Sequence, residues 1–316
     1  MDSQITNRKV FSISMVRNES DIIESFVRYH THIFDGMVIL DHCSTDNTLS
    51  ILQHLKAEGL PVYLGQYNSP DYIQSEIMTN LLSETFRQFK PDIIIPLDAD
   101  EFLVSQDNSV HPKAILNEMS MSKIHYLKER KYSVHPDDQT EELFIPKRMK
   151  HCSVGTQFKV CVPSTVMPYS PIITMGNHDL FLNVPHSFQV DKYISEELEL
   201  AHFPIRSDEQ FKSKAIVGWL SNLTRYNAMK GEAAHWEHWF LELKQDPGRF
   251  YKEVLKSDTR LVYSPMNTLF CHSIEMKYTS PEEMDFVKNL IAFSELLAKD
   301  YADIKSRMLV LKSGGI

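Results

Sequence analysis

From its N-terminal end, the chain alternates between two apolar spacings. Residues 9–16 form an apolar-rich run with the composition of a strand. Residues 20–34 then place Ile22, Ile23, Phe26, Val27 and Ile33 on one side of a helix. Gly36 punctuates the chain, and Met37-Val38-Ile39-Leu40 is the short, wholly apolar run of a strand buried on both sides. Asp46 suits the N-cap of a helix in which Leu49, Leu52 and Leu55 recur until Gly59 stops it. Residues 61–64 are strand-like. Residues 72–89 repeat apolar positions at Ile73, Ile77, Leu81 and Phe89 with helical spacing, and 92–97 read as a further strand. Strand–helix alternation of this kind predicts βαβ crossovers, hence an α/β fold whose mostly parallel sheet carries helices on both faces. Pro96 cannot donate to a strand ladder, so an irregularity or a sheet edge is expected there.

After about residue 104 the pattern loosens. Residues 105–200 hold many prolines and β-branched residues, with short apolar runs at 143–145, 158–162 and 172–175. Antiparallel strands and long loops are expected beside the first half. From Asp208 helical spacing returns over 208–229, 232–244 and 247–256. Ser280-Pro281-Glu282-Glu283 starts a last amphipathic helix, running to about Lys305, with a capping serine, proline at the first position and acids in the first turn. Gly314-Gly315 reads as a frayed tail. No internal repeat is visible. The expected division is a main domain at 1–204, with halves at about 8–104 and 105–204, followed by a helical region at 205–316.

Composition narrows the function classes. The 316 residues are 42% hydrophobic and 24% charged, a globular balance with enough chain for a sizeable core. Net charge is −9, which argues against nucleic acid as a partner. No run reaches the ~18 apolar residues of a membrane span, and the polar start lacks the apolar core of a secretory signal. Cys43, Cys152, Cys161 and Cys271 form no CxxC pair, so free thiols in a reducing cytoplasm are expected rather than zinc or disulfides. The expected location is therefore cytoplasmic, with a peripheral place at the cytoplasmic membrane face left open. The Asn18 and Asn222 glycosylation patterns are then chance matches. The 14 histidines are a high count for this length.

The sharpest local feature is Leu97-Asp98-Ala99-Asp100-Glu101-Phe102, directly after an apolar strand. In an extended segment Asp98 and Asp100 face one point with Ala99 behind. Ligands of open α/β sheets bind beyond the carboxyl ends of the strands, and two carboxylates converging there repel unless a cation sits between them. Hard oxygen ligands suit Mg²⁺ or Mn²⁺. The alternative for an isolated pair is a solvated acidic turn. Two other strand ends deliver polar groups to the same rim: Met15-Val16-Arg17-Asn18-Glu19, and Leu40-Asp41-His42-Cys43-Ser44-Thr45-Asp46-Asn47-Thr48.

These three motifs, in this order and spacing over about 10–104, resemble the family 2 glycosyltransferases of GT-A (Rossmann-like, nucleotide-diphospho-sugar transferase) fold. Within that family they are similar to the branch whose Asp-x-Asp reads Asp-Ala-Asp-Glu-Phe. His202-Phe203-Pro204-Ile205-Arg206-Ser207, with Phe211 and Lys214, extends the resemblance to about residue 220. The resemblance implies a nucleotide-sugar donor, with uridine as the family-level expectation, and a Mn²⁺ or Mg²⁺ ion on its diphosphate. It implies that Val16, Arg17, Asn18, Glu19, Asp41, Ser44, Asp98 and Ala99 form the nucleotide pocket, with Asp41 at base or ribose. Asp98, Asp100 and His202 are the implied metal ligands; the alternative for His202 is a histidine satisfied in core or surface. Arg206, Lys212 and Lys214 either neutralise the diphosphate or form the solvated face of a helix. Inverting members use an acid as base for the acceptor hydroxyl, and Asp179 in Gly176-Asn177-His178-Asp179 and Glu237 in His235-Trp236-Glu237-His238 are the candidates. His235 and His238 lie one helical turn apart without a third ligand nearby in sequence, which favours a helix face beside Trp236 and Trp239 over a metal site.

The function expected is an inverting, metal-dependent transfer of a sugar to a glycan, lipid-linked or protein acceptor hydroxyl, as in polysaccharide or glycoconjugate biosynthesis. Three rivals remain. A phosphatase using Asp-x-Asp wants Thr or Val where Phe102 stands. A nucleotidyltransferase wants a glycine-rich basic loop where Arg17-Asn18-Glu19-Ser20 stands. A non-catalytic sugar- or partner-binding GT-A-like protein would have no need of the intact Asp98/Asp100 pair.

Overall fold

A computed structural model of the chain describes residues 7–138, 141–183, 191–224, 234–248, 261–263, 270–280 and 285–313, the last helix without side chains beyond residue 305. The apolar run at 9–16 becomes β1 (Val10–Val16), and its two faces enter different cores. Val10 and Val16 join one apolar cluster, while Ile13 and Met15 join the other. Helices α1 (Ile23–His30) and α2 (Thr48–Ala57) pack Phe26, Leu52 and Leu55 into the first cluster, and α3 (Gln74–Phe89) packs Ile77, Met78 and Leu82 into the second. Strands β2 (Gly36–His42), β3 (Val62–Tyr67) and β4 (Ile93–Pro96) complete a parallel set in the order β3-β2-β1-β4. In β4, Ile93 and Ile95 face one cluster and Ile94 the other. Burial on both faces is why these strands lack polar alternation.

The second half continues the same sheet. Its strands are β5 (Glu101–Ser105), β6 (Lys123–Ser133), β7 (His151–Pro163) and β10 (Asp191–Ile205), giving the full order β3-β2-β1-β4-β7-β6-β10-β5. Strand β7 is antiparallel to β4 and β6, β5 is antiparallel to β10, and β6 and β10 are parallel. A short pair, β8 (Ile172–Ile173) with β9 (Leu180–Phe181), stands apart, and β11 (Leu261–Val262) pairs with β7. Helix α4 (Pro112–Glu118) connects β5 to β6. The α/β class and the parallel first half follow the sequence pattern.

Three expectations are corrected. Strand β4 is interior, between β1 and β7, not an edge. Pro96 is tolerated because it is the last residue of β4, beyond the point where the β7 ladder stops at Ile94↔Val162. The run at 143–145 is no strand: with Pro146 in its first turn, the chain forms the short helix α5 (Ile145–Arg148). The third concerns the Asp98–Asp100 segment and is taken up with the site.

Helices α6 (Asp208–Leu223), α7 (Ala234–Gln245) and α8 (Phe286–Ser313) follow. Ser207 caps α6 by accepting from Gln210 N at 3.1 Å. The expected starts at 232 and at Ser280-Pro281, the end at 229, the helix at 247–256 and the Gly314-Gly315 tail lie wholly or partly outside the described residues. The C-terminal segment is tied to α1 through buried Glu24, which accepts from the backbone N–H groups of Lys277, Tyr278 and Thr279 at 2.7–2.8 Å. All four cysteines are free.

His30 locks α1 to β5 as a neutral ring. Its Nδ1–H donates to Phe26 O at 2.9 Å and its Nε2 accepts from Leu103 N at 3.1 Å, with full burial. Protonation would set two donors face to face, and burial pushes its pKa down to about 3. Because the folded value lies below the unfolded ~6.5, the unfolded chain takes up the proton first, and stability falls as pH drops below that value by up to ~1.4 kcal/mol per unit. Urea unfolding of His30→Gln is expected to be less stable at pH 7.5 but to lose distinctly less stability than the wild type between pH 6.5 and 4.5. Equal slopes would contradict the neutral-ring assignment.

Candidate active site

The carboxyl ends of β1, β2 and β4 open on one rim, and the loops after β1 and β2 are stitched together there. Asn18 adopts a left-handed backbone (φ 53°), a conformation asparagine tolerates. Its N–H donates to Ser44 Oγ at 3.1 Å and its Oδ1 accepts from Thr45 N at 2.7 Å. Thr48 Oγ1 accepts from Glu19 N at 2.8 Å, and Asp46 accepts from Ser20 N and Thr48 N. Arg17 projects from this braced loop. Its guanidinium donates to His42 O and Ser221 Oγ, both at 2.5 Å, and to Pro70 O at 3.2 Å. Among the described residues no carboxylate pairs with it, and burial lowers its pKa to about 10. Asp41 behind it is 3% exposed; Oδ2 accepts from Ser44 N at 3.3 Å, while Oδ1 has no hydrogen-bond partner. Burial pushes its pKa up.

The acidic end of the rim departs from the extended geometry expected of Asp98 and Asp100. The segment is a turn, closed by Glu101 N donating to Asp98 O at 3.1 Å, so the two carboxylates meet different cations. Asp98 accepts from Lys159 Nζ at 2.6 Å, with Asn177 Nδ2 and Gln74 Nε2 at 3.3 and 3.4 Å. Asp100 is bonded to Lys214 Nζ, with Arg206 Nη1 at 3.7 Å. His202, opposite Glu101 in the β10–β5 ladder, stands between two acids: Nε2 lies 3.4 Å from Asp100 Oδ1 and Nδ1 bonds Glu129 Oε1. Burial alone would lower its pKa, but Asp100 and Glu129 override it and push it up to about 9. Burial would raise Asp100, yet Lys214, His202 and Arg206 hold it well below the carboxylate range. Burial raises Glu101 to about 7 despite Lys159 at 3.0 Å.

Glu129 occupies a register shift between β6 and β7, where Gly155 makes room for it. A Cβ on Gly155 would stand 2.7 Å from both Glu129 O and Oε2. That buried Oε2 accepts no hydrogen bond. Glu101, Glu129 and His202 bring ligand atoms within 4.8 Å of one another. Lys131 Nζ stands 3.5 Å from Glu129 Oε2; a buried carboxylate oxygen without a hydrogen bond, among carboxylates and an imidazole, fits a divalent cation of the Mn²⁺ or Mg²⁺ kind. The cluster forms one side of a cavity of about 640 Å³, within the range of small-molecule sites.

The structure gathers Val16, Arg17, Asn18, Glu19, Asp98, Ala99, Asp100, His202 and Lys214 on that cavity wall. Asp41 and Ser44 sit behind it. Arg206 does not reach it. The guanidinium is fully buried, donating to Asp21 Oδ2 and Oδ1 at 2.7 and 2.8 Å, Glu19 Oε2 at 2.6 Å and Phe203 O at 2.9 Å. Of the three basic residues weighed for the diphosphate, Lys212 pairs with Asp208 one turn back on α6, the solvated-face alternative, and Lys214 alone faces the cavity. Neither candidate base lies among the lining residues. Asp179 pairs with Lys192 Nζ at 2.8 Å and bonds Tyr126 Oη, while its neighbours Gly176 and His178 do line the cavity. Glu237 is exposed on α7.

No protein-family model matches the sequence, and no curated protein does. Distant likenesses exist among solved structures. A mannosyltransferase from Pyrobaculum calidifontis, solved with GDP-Man and Mn²⁺, is 11% identical with a TM-score of 0.39, over 76% of this chain and 71% of that one. Glucosyl-3-phosphoglycerate synthase from Mycobacterium tuberculosis, solved with Mn²⁺, UDP-Glc and glycerol 3-phosphate, is 14% identical with a TM-score of 0.28, over 52% of this chain and 60% of that one. The match to the synthase thus spans less than two thirds of its length. Likenesses this distant carry nothing about the reaction.

Lys159, Glu129 and Gln74, which sequence reasoning missed, complete the acidic end with Asn177 of the Gly176–Asp179 cluster. Lys159 left one signal, a lone cation inside the apolar run at 158–162. Arg206→Met is expected to cost ~3–5 kcal/mol in chemical denaturation, because Glu19 and Asp21 lose the charge that compensates their burial. Lys212→Met, removing a helix-surface pair, is expected to stay within ~0.5 kcal/mol of wild type.

Proposed function

We propose that the chain is a metal-dependent glycosyltransferase of GT-A arrangement that moves a sugar from a nucleotide-sugar donor to an acceptor hydroxyl. The observation that carries this reading is one cavity with two unlike ends. At one end Asp98, Asp100, Glu129 and His202 crowd together. At the other stands Arg17, a buried guanidinium bonded to carbonyls and a hydroxyl. A nucleoside diphosphate-sugar has the matching polarity. Its base and ribose lie toward Arg17 and Asn18, with Asp41 behind them. Its diphosphate lies toward the acids. Uridine is the base we favour, on the motif resemblance.

Asp98, Asp100 and His202, with Glu101 and Glu129 beside His202, would hold Mn²⁺ or Mg²⁺, which would supply Lewis-acid stabilisation of charge on the departing diphosphate. Lys214 and Lys159, each bonded to one of the aspartates, are placed to turn to phosphate oxygens as the aspartates take up other partners. Glu129 holds His202 through Nδ1, which orients Nε2 toward Asp100. We read the transfer as inverting, the catalytic domain as residues 1–204 and the region 205–316 as its helical complement. A cytoplasmic location is part of the same reading.

Asp100→Asn is expected to abolish Mn²⁺-dependent UDP binding in calorimetry, and Asp98→Asn, at a more open position, to weaken it at least about tenfold. A thermal-shift comparison of UDP, GDP, CMP and sugar phosphates, each with and without Mn²⁺, separates the rivals. Stabilisation only by nucleoside diphosphate with metal supports the transferase through mass action. A shift with sugar phosphate alone would replace it with a phosphatase.

A further inference from the structure

A second cluster of metal-ligating side chains stands where β6 ends and β7 begins. Among the described residues, two groups bring three histidine, cysteine or carboxylate ligand atoms within 4.8 Å of one another. One is Glu101, Glu129 and His202. The other is His135, Asp137 and His151, none of which lines the cavity. The ladder between the strands reaches Tyr132↔Cys152, which sets the end of β6 beside the start of β7. Just past it, Val134 N donates to Ile205 O at 3.0 Å, and Asp138 N donates to His135 O at 3.0 Å to close a turn. Asp138 in return accepts from His135 N at 2.8 Å. His135 Nδ1 accepts from Asp137 N at 3.2 Å, so the lone pair of that nitrogen already faces Asp137. The His135 and His151 rings pack with centroids 3.5 Å apart at 19°.

We propose that His135, Asp137 and His151 form a second metal site, for a divalent ion of the zinc class, that clamps the end of β6 to the start of β7. The spacing suits such an ion. Asp137 Oδ2 lies 3.4 Å from His135 Nδ1. Two ligand atoms of a tetrahedral zinc, each ~2.1 Å from it, stand ~3.4 Å apart. An imidazole binds metal in its ring plane, so binding turns His151 out of the stack while His135 and Asp137 keep their places. The donor set selects the metal class. Two imidazoles and one carboxylate favour zinc over Mn²⁺ or Mg²⁺, whereas the carboxylate-rich group in the cavity favours the harder ions. Asp137, with its side chain 78% exposed, is free to close on an ion. Asp138 is held by the turn with its side chain 4% exposed, and its Oδ1 stands 3.9 Å from His151 Nδ1. It feels Arg148 as well, so its part is to orient His151 rather than to ligate. Three protein ligands leave the fourth position to water. The clamp would act on the cavity from outside it, since β6 and β7 carry Glu129, Lys131, Ser153, Gln157 and Lys159 to the cavity wall.

Calorimetric titration of the full chain with Zn²⁺, in a buffer holding excess Mn²⁺, tests the site. Wild type is expected to bind Zn²⁺ with a component that His135→Gln, His151→Gln and Asp137→Asn each weaken by about tenfold or more. The variants would first be checked for wild-type circular dichroism. Asp137→Asn changes an exposed side chain and serves if the histidine variants misfold. Zn²⁺ is also expected to raise the Tm of wild type more than that of Asp137→Asn, because an ion that binds only the folded chain stabilises it by mass action. Absence of Zn²⁺ binding by wild type would overturn the proposal, and so would an unchanged zinc affinity in any of the folded variants. Displacement of this zinc by equimolar Mn²⁺ would overturn the assignment of metal class.

Discussion

Arg206 holds its charge in a place where water cannot reach it, and the surrounding acids depend on that charge. Its guanidinium makes four hydrogen bonds, to Asp21, Glu19 and the Phe203 carbonyl, with Asp100 Oδ2 3.7 Å from Nη1. A guanidinium is suited to this role because its fork makes paired bonds and it does not shed its proton on burial. The residues it joins come from the loop after β1, from the turn after β4 and from the end of β10. These chain segments carry one side of the candidate site. Burial of so many carboxylates raises Glu19 and Glu101 to about 7 each, and without the internal cations the cluster would not stay ionised.

The cavity is consequently a balanced ionic system rather than a loose acidic rim. Asp98 and Asp100, the two acids first expected to share one cation, have separate lysines. On the transferase reading, a divalent cation held by the aspartates would leave those lysines available to a diphosphate. Helices beyond residue 205 take part in the same balance. Lys214 and Ser221 of α6 reach Asp100 and Arg17, and Phe293 of α8 lies 5.6 Å from the Arg17 guanidinium.

Much of the first hundred residues was legible because βαβ units are local. An apolar run at 92–97 after a helical pattern at 72–89 has few ways to be buried, and β4 formed where its isoleucines stand. The same locality placed Arg17, Asp41 and Asp98 at strand ends. Legibility failed where local pattern met a longer-range partner. Pro96 was acceptable inside the sheet because the β7 ladder ends before it. Asp98 and Asp100 left the extended geometry because Glu101 N closes a turn on Asp98 O. Asp179 was a reasonable base by its turn-like setting until Lys192, a dozen residues on, took its carboxylate.

By itself the sequence determined the α/β class, the parallel first half and the identity of the strand-end acids, since each follows from apolar period and from where a strand must stop. Only the tertiary structure decided which cation each acid meets, that Arg206 is a buried strut while Lys214 faces the cavity, that Glu129 and Lys159 belong to the cluster, and that α7 closes the cavity with tryptophans. Those outcomes rest on contacts between residues far apart in the chain, such as Lys214 with Asp100 and Lys159 with Asp98. Electrostatic pairing of this kind depends on separation and burial in space, quantities that residue order does not encode.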